Sequence, residues 1–319
     1  MKKRAVSVIL AGLMAASLAA CGSSSSSGAS TTAATEAATT SATEVADATE
    51  AAAATEAAET AATEAASTDA SVDLSQSKYL SDGVMTVGLN ATFPPFEYVG
   101  DGTDTFDDIT SNEGNVTGFD VAMMNEIGKR IGVTVEIEDM DFDGIIPALG
   151  SKIDVAATGM TITDERKESV NFSDPYYDAT QSVLVSEDST IATEDDLKNA
   201  SAIGVQAGTT GETVARGIND AATVSVKSFN QAVADLVNGK NDAVILDQVP
   251  AEAFATSYSG QLKVLDGSQF NFDTEQYGIA MPKDDEVMLN AINGALAAMK
   301  ADGTYDTLVE QYISSYSAE

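Results

Sequence analysis

Arg166 stands in the segment Thr163-Asp164-Glu165-Arg166, where a threonine cap followed by two acids marks a helix start. Acids suit that end, because the helix dipole is positive there and the first N–H groups lack partners. A cation at the third helical position opposes the dipole. Cations are also scarce, since the chain holds 16 basic residues against 50 acidic ones. Pairing with Asp164, Glu165 or Glu168 at the surface is the ordinary fate of such an arginine. The alternative is that its guanidinium grips an anion, and a carboxylate fits because it takes two parallel N–H bonds. The N–H groups of the same helix start would help hold it.

Other residues offer complementary chemistry. Gly204–Thr213, GVQAGTTGET, forms a second anion-type helix start, with Gly208 and Gly211 allowing close backbone approach. It lacks the lysine of a phosphate-binding P-loop, so a nucleotide site is not indicated. Asp247 closes the segment DAVILD just before Gln248-Val249-Pro250. It either caps the following helix or presents a carboxylate to a cation. Phe93, Phe96 and Tyr98 follow a strand, and Phe142 opens a helix; core packing explains each unless a ligand lies near. Histidine is absent and the one cysteine is Cys21. Most triads, metal sites and histidine acid–base pairs are therefore excluded from the rest of the chain. No cofactor and no metal are expected.

From about Ser75 onward the sequence alternates short β-branched runs with amphipathic stretches. VMTVGL (Val84–Leu89), VTVEIE (Val133–Glu138), IDVAAT (Ile153–Thr158), SAIGV, TVSV and DAVIL read as strands. Between them, helices are expected at FDVAMMNEIGKRIG with Asp120 as N-cap, at FDGIIPALG, after Thr163, from Thr210 and at FNQAVADLVNG. Two helices should fill the segment from Asp285 to the end. This βαβ rhythm argues for an α/β fold with largely parallel sheets. ALGSKIDVAATG and LVNGKNDAVILD also share a plan, in which a helix ends at Gly, a Lys follows and Asp opens a buried strand. Their strand ends deliver Gly159 and Thr161 in one case and Asp247 in the other. Ligands in open α/β sheets sit outside the carboxyl ends of strands, so two facing sheets would make a cleft. Chance similarity accounts for the echo equally well.

The first 74 residues are different material. A basic head, Met1-Lys2-Lys3-Arg4, precedes an apolar run from Ala5 to Ala20, shorter than the roughly 20 residues of a membrane span. The run ends Leu18-Ala19-Ala20-Cys21, which resembles the bacterial lipobox, so residues 1–21 read as a lipoprotein signal with Cys21 the lipidated residue. Residues 22–74 are nearly all Ser, Thr, Ala and Glu, without an aromatic or a basic side chain. Such a segment cannot offset its ordering entropy and reads as a disordered tether with a mean span of about 40 Å. The net charge of −34 makes nucleic acid and anionic lipid poor partners for the folded part.

The stretches ATFPPFEY, TGFDVAMMNEIGKRIG and DFDGIIPALGSKIDVAATGMTITDERKESVNFSDPYY resemble the extracellular solute-binding protein family for polar amino acids, which serves ABC importers. The match continues through IGVQAGTTGE, DAVILDQVP, QYGIAMPK and ADGTYDTLVEQY, from about residue 80 to 315. The resemblance implies a two-lobed, type II periplasmic-binding-protein-like α/β fold whose lobes are joined by two hinge strands and close on the ligand. Lobe 1 would comprise residues 75–184 and 279–319, and lobe 2 residues 185–278, the chain crossing near SVLV and returning through EQYGIA. It also implies delivery of a free amino acid to an ABC permease; with the lipid on Cys21, a monomer anchored at the extracytoplasmic face of a bacterial cell membrane is expected.

Carried over by position, the resemblance gives Arg166 the ligand α-carboxylate, with Thr161, Gly159 and Thr209 beside it. Asp247, again with Gly159, would take the α-ammonium. Phe93 and Phe142 would sandwich the ligand side chain, and Asn90, Gln206 and Leu246 would complete its pocket. Asn90 stands where binders of basic amino acids usually carry an acid, so a neutral or weakly polar ligand is expected over Lys or Arg. The loop Gly100–Asn115 is unusually acidic; it reads as a solvated surface loop, and its acids lack the EF-hand spacing for calcium. Two other readings of the same fold stand beside transport: a dehydratase working through a carboxylate, and a ligand-sensing lipoprotein that reports to a receptor.

Overall fold

In the computed structural model the described residues are 73–103, 106 and 109–316, and they lie in one unit, Ala66–Glu319. The signal, Cys21 and the tether up to residue 72 fall outside the described residues, as does part of the acidic loop.

In chain order the first half carries β1 (Val84–Leu89), β2 (Thr92–Phe93), β3 (Glu97–Val99), β4 (Ile109–Ser111), β5 (Val116–Thr117), α1 (Phe119–Ile131) and β6 (Thr134–Asp139). A 3₁₀ turn, Phe142–Gly144, then leads into α2 (Ile145–Ala148), β7 (Val155–Ala156), α3 (Asp164–Ser169) and β8 (Asn171–Phe172). The long strand β9 (Tyr177–Ser186) follows, then α4 (Glu194–Lys198), β10 (Ile203–Gln206), α5 (Thr210–Asn219), β11 (Thr223–Val226), α6 (Phe229–Val237) and β12 (Ala243–Asp247). The chain ends with α7 (Gln248–Ser257), β13 (Leu262–Leu265), β14 (Thr274–Tyr277), β15 (Ala280–Met281), α8 (Glu286–Asp302) and α9 (Thr304–Leu308), which runs into a π turn at Val309–Ser314.

Two main sheets result. The first has the order β4-β6-β1-β7-β15-β8 and the second β11-β10-β12-β9-β13. In the first, β1 runs parallel to β6 and β7, and β15 is antiparallel to β7 and β8. Both sheets carry helices on their faces, which buries near-continuous apolar strands, as parallel sheets require. Met85, Val87 and Leu89 of β1 pack with Met123 and Ile127 of α1 and with Met288, Ile292 and Leu296 of α8. Each such burial contributes about 1.5–3 kcal/mol. A second cluster, with Val183, Ile203, Val205 and Ile245, covers the other sheet.

Strand β9 joins the sheets. Its first four residues pair with β14, from Tyr177↔Tyr277 to Thr180↔Thr274, while Gln181–Leu184 pair with β12. The crossover thus lies at 177–180. The SVLV segment expected to carry it is wholly inside the second sheet, where Val183, Leu184 and Val185 are fully buried. Val183 and Leu184 are paired on both sides, by β12 and β13, whereas 177–180 pair with β14 alone. In the segment EQYGIA, β14 leads directly into β15 of the first sheet.

One local expectation fails. Asp120 does not cap α1; the cap position belongs to Gly118, at φ 120°. A Cβ there would sit 2.3 Å from the Phe96 carbonyl oxygen, so only glycine fits. Asp120 lies one residue into the helix and is fully buried.

Candidate functional site

Strand ends and helix starts of both sheets converge on one cavity. Its walls include Asn90, Phe93, Phe142, Gly159, Thr161, Arg166, Gln206, Thr209 and Asp247. Nine of the ten pocket residues expected from sequence therefore come together.

Arg166 occupies the third position of α3, and Thr163 caps that helix by accepting from the Arg166 N–H at 3.1 Å. The guanidinium leaves the helix axis and points into the cavity. Nη1 donates to the Thr161 carbonyl at 2.7 Å and Nη2 to the Gly208 carbonyl at 3.0 Å, with the Phe142 ring centroid 5.5 Å from Cζ. Burial lowers its proton affinity, while Glu275, Asp247 and Glu165 oppose that. An arginine stays charged throughout. The remaining N–H groups of the fork are available to an anion.

Asp247 ends β12 and precedes α7, yet its side chain makes no capping bond. It is 8% exposed, and its Oδ1 has no hydrogen-bond donor. Burial, reinforced by Glu275, pushes its carboxyl up to about 7, against the opposing effect of Tyr277 and Gln181. A buried anion with an open oxygen is costly, and a cation placed there would offset the cost.

Detail differs from expectation at several positions. The Gly159 N–H is committed to Asp120 Oδ2 at 2.8 Å. Only its carbonyl remains, which suits an ammonium group and not a carboxylate. Its φ of 53°, and a Cβ position 2.6 Å from Phe93 Cε1, explain the glycine. Thr209 Oγ1 donates to the Gln206 carbonyl at 2.8 Å and caps α5, so its hydroxyl hydrogen is spent. Its neighbour Thr210 points inward instead. Thr161 and Thr210 both donate to Glu275 Oε2, at 2.6 and 2.8 Å, which ties the two sheets through β14. Asn90 and Gln206 satisfy one another: Gln206 Nε2 donates to Asn90 Oδ1 at 2.8 Å, and Asn90 Nδ2 donates to the Met140 carbonyl at 2.8 Å. Leu246 does not reach the cavity. It is fully buried in the core, because neighbours along a strand face opposite sides and Asp247 takes the open one.

Four wall residues were missed: Glu97, Thr158, Thr210 and Phe229. Phe229 opens α6 and faces Phe93, ring centroids 5.5 Å apart. Glu97 is the unexpected one. It is fully buried, accepts from Thr158 Oγ1 at 2.7 Å through Oε1, and has no donor at Oε2. Burial, then the neighbouring Asp120, pushes its carboxyl well above the usual carboxylate range. The sequence signal for it was the lone acid inside FPPFEYV. Among the described residues no cluster of acids, cysteines or histidines forms a metal site.

Residues 85–315 match the family of bacterial extracellular solute-binding proteins, family 3. The chain belongs to this family. A family 3 relative described as a probable histidine-binding protein of Neisseria gonorrhoeae is 33% identical over 239 residues, 72% of this chain and 83% of its own length. A crystallised variant of ArgBP from T. maritima is 40% identical with TM-score 0.65, covering 77% of this chain and all of its own. An ancestral arginine-binding protein, solved bound to glutamine, is 39% identical with TM-score 0.64, covering 72% and 97%. The two-lobed type II family 3 fold accounts for the paired sheets and for the crossover at β9 and β14.

Proposed function

We propose that this chain captures a free amino acid by closing its two lobes over the zwitterion and hands it to an ABC permease. The observation that carries the reading is the pairing of Arg166 with Asp247 across one cavity. The first offers free N–H donors and the second an unpaired buried carboxylate oxygen. A zwitterion leaving water needs each charge matched, and this cavity has one group of each sign. The Gly159 carbonyl would share the ammonium with Asp247, and Thr161 and Thr210 would flank the carboxylate. Phe93, Phe142 and Phe229 would pack the aliphatic part of the side chain.

Glu97 revises the expected ligand preference. Asn90 is saturated by Thr92, Gln206 and Met140 and has little left for a ligand. The acid that Asn90 lacks is supplied seven residues later, so a side chain with a cationic or amide end group fits the pocket. The relative bearing the name arginine-binding protein yet bound to glutamine supports that range. Lipidation at Cys21, monomeric state and delivery at the extracytoplasmic face complete the proposal. Mass spectrometry of small molecules released by denaturing the purified protein tests it: an amino acid is expected, and a sugar or a non-amino acid would overturn it.

A further inference from the structure

Glu97 lines the cavity, and Asp120 lies behind Gly159 of the same wall. Glu97 on β3 and Asp120 on α1 are each fully buried. Asp120 Oδ2 accepts from the Gly159 N–H and from Tyr176 Oη, both at 2.8 Å. Glu97 Oε1 accepts from Thr158 Oγ1. The other two oxygens, Glu97 Oε2 and Asp120 Oδ1, have no donor, and the donors to the two carboxyls, Thr158 and Gly159, are consecutive residues, which sets the carboxyls side by side for a mutual hydrogen bond. Two carboxylates can form that bond only if one of them carries the proton. Among the described residues no lysine or arginine forms an ion pair with either carboxyl.

We propose that Glu97 and Asp120 share one proton, and that its position lets the same pocket take either a neutral polar or a cationic amino-acid side chain. This rests on the reading that Glu97 faces the ligand side chain. In the empty pocket the proton sits on Glu97 Oε2, because Asp120 already has two donors that favour its charged form. A neutral amide meets an uncharged Glu97, and nothing moves. A cationic end group favours an ionised Glu97, so the proton passes from Glu97 Oε2 to Asp120 Oδ1. The pair keeps one negative charge throughout, and no proton is exchanged with solvent.

The surroundings fix which carboxyl yields. Asp139, at the end of β6, adds negative charge beside Glu97 and holds the proton there. Tyr176, before β9, and Tyr305, on α9, face Asp120 as neutral phenols. Arg166 and Asp247 occupy other parts of the cavity wall, at the proposed zwitterion end. Asp120 is therefore a positioning residue: it touches no ligand and acts through the charge it sets on Glu97.

The test combines carbon-13 spectra of the side-chain carboxyls with calorimetry, on the full chain. In ligand-free protein at pH 7 the Glu97 carboxyl should resonate as an acid and Asp120 as a carboxylate. Arginine should exchange the two states, and glutamine should leave them. Heats of arginine and of glutamine binding should depend on the ionisation enthalpy of the buffer to the same extent, since Asp247 alone releases a proton on binding either ligand. In Asp120→Asn the amide would donate to Glu97 Oε2 and fix it as a carboxylate, raising the preference for arginine over glutamine by about tenfold or more. A merely structural role would weaken both ligands together. If that variant does not fold, Tyr176→Phe, which removes a donor from Asp120 and draws the proton towards it, should move the preference the same way by a smaller factor. Two ionised carboxyls in the ligand-free protein, or an unchanged preference in the variant that folds, would overturn the proposal. Loss of the zwitterion reading is separate: it would appear as wild-type amino-acid affinity in Arg166→Ala, while the ligand-free spectra still decide the shared proton.

Discussion

The Arg166 guanidinium donates to the Gly208 carbonyl at 3.0 Å, joining a helix start of one lobe to the opposite wall of the cleft. In the proposed function the same side chain holds the ligand carboxylate, so one cation would serve both ligand capture and closure. That resolves its dipole-opposed position at the head of α3.

Removing either member of the charge pair should leave a ligand charge buried without its partner. Arg166→Ala and Asp247→Ala are each expected to cost about 3–5 kcal/mol in binding. At about 1.4 kcal/mol per decade this is about 100-fold to a few thousand-fold in Kd. The dipole conflict relieved at α3 offsets lost carbonyl bonds, so the ligand-free Arg166→Ala protein should melt within about 3 °C of wild type. Calorimetry and melting curves check both points, and unchanged affinity in Arg166→Ala would return that residue to the surface.

Asp247 sets a pH dependence. Its carboxyl lies near 7 in the ligand-free cavity through burial, and only the ionised form can hold an ammonium. Affinity should therefore fall as pH drops below 7, by up to about tenfold per unit. Stability of the ligand-free protein moves the other way. The folded-state value is raised above that of the unfolded chain, so protonation of Asp247 stabilises the fold at acid pH and this contribution is lost as pH rises through 7. Asp247→Asn should flatten both profiles, as titration calorimetry and melting curves across pH 5–8 would record.

Lys227 spans the cleft mouth to Asp143 at 2.8 Å and to Asp141 at 3.4 Å. These groups are solvent-exposed, where screening leaves ion pairs weak. Lys227→Ala should change ligand affinity by at most a few-fold, and the difference should disappear in roughly molar salt. A large, salt-insensitive loss would mean that the bridge, not the cavity, controls closure.

The segment before residue 73 should be dispensable for binding. Leu74 packs against the core and its carbonyl accepts from the Ser77 N–H at 2.9 Å, so a shortened chain should begin at Asp73. Such a protein should fold and bind as the full chain does, and a tenfold or greater loss in calorimetry would place the tether within the folded unit.

Periodicity exposed the strands and most helices because their apolar faces are local patterns. The cap at Thr163 and the second helix start at Thr209 were legible for the same reason. Leu246 could have been rejected from sequence, since strand alternation forbids it from sharing a face with Asp247. Glu97 and Asp120 could not have been paired that way. They lie on different elements, and although the apolar setting of FPPFEYV hints that Glu97 is enclosed, nothing local links it to Asp120. The same applies to Glu275, whose link to Thr161 and Thr210 exists only once β14 lies against β9.

The place of β15 in the first sheet, between β7 and β8, bears on how the chain assembles. Every other strand of that sheet is made before residue 173, whereas β15 begins at Ala280. As the polypeptide emerges from its N-terminus, β7 and β8 stay unjoined until the whole second sheet has been delivered. A chain truncated before Ala280 would thus hold a complete second sheet beside a first one with a vacant slot next to its edge strand, exposing apolar strand edges of the kind that quality-control proteases and aggregation both act on.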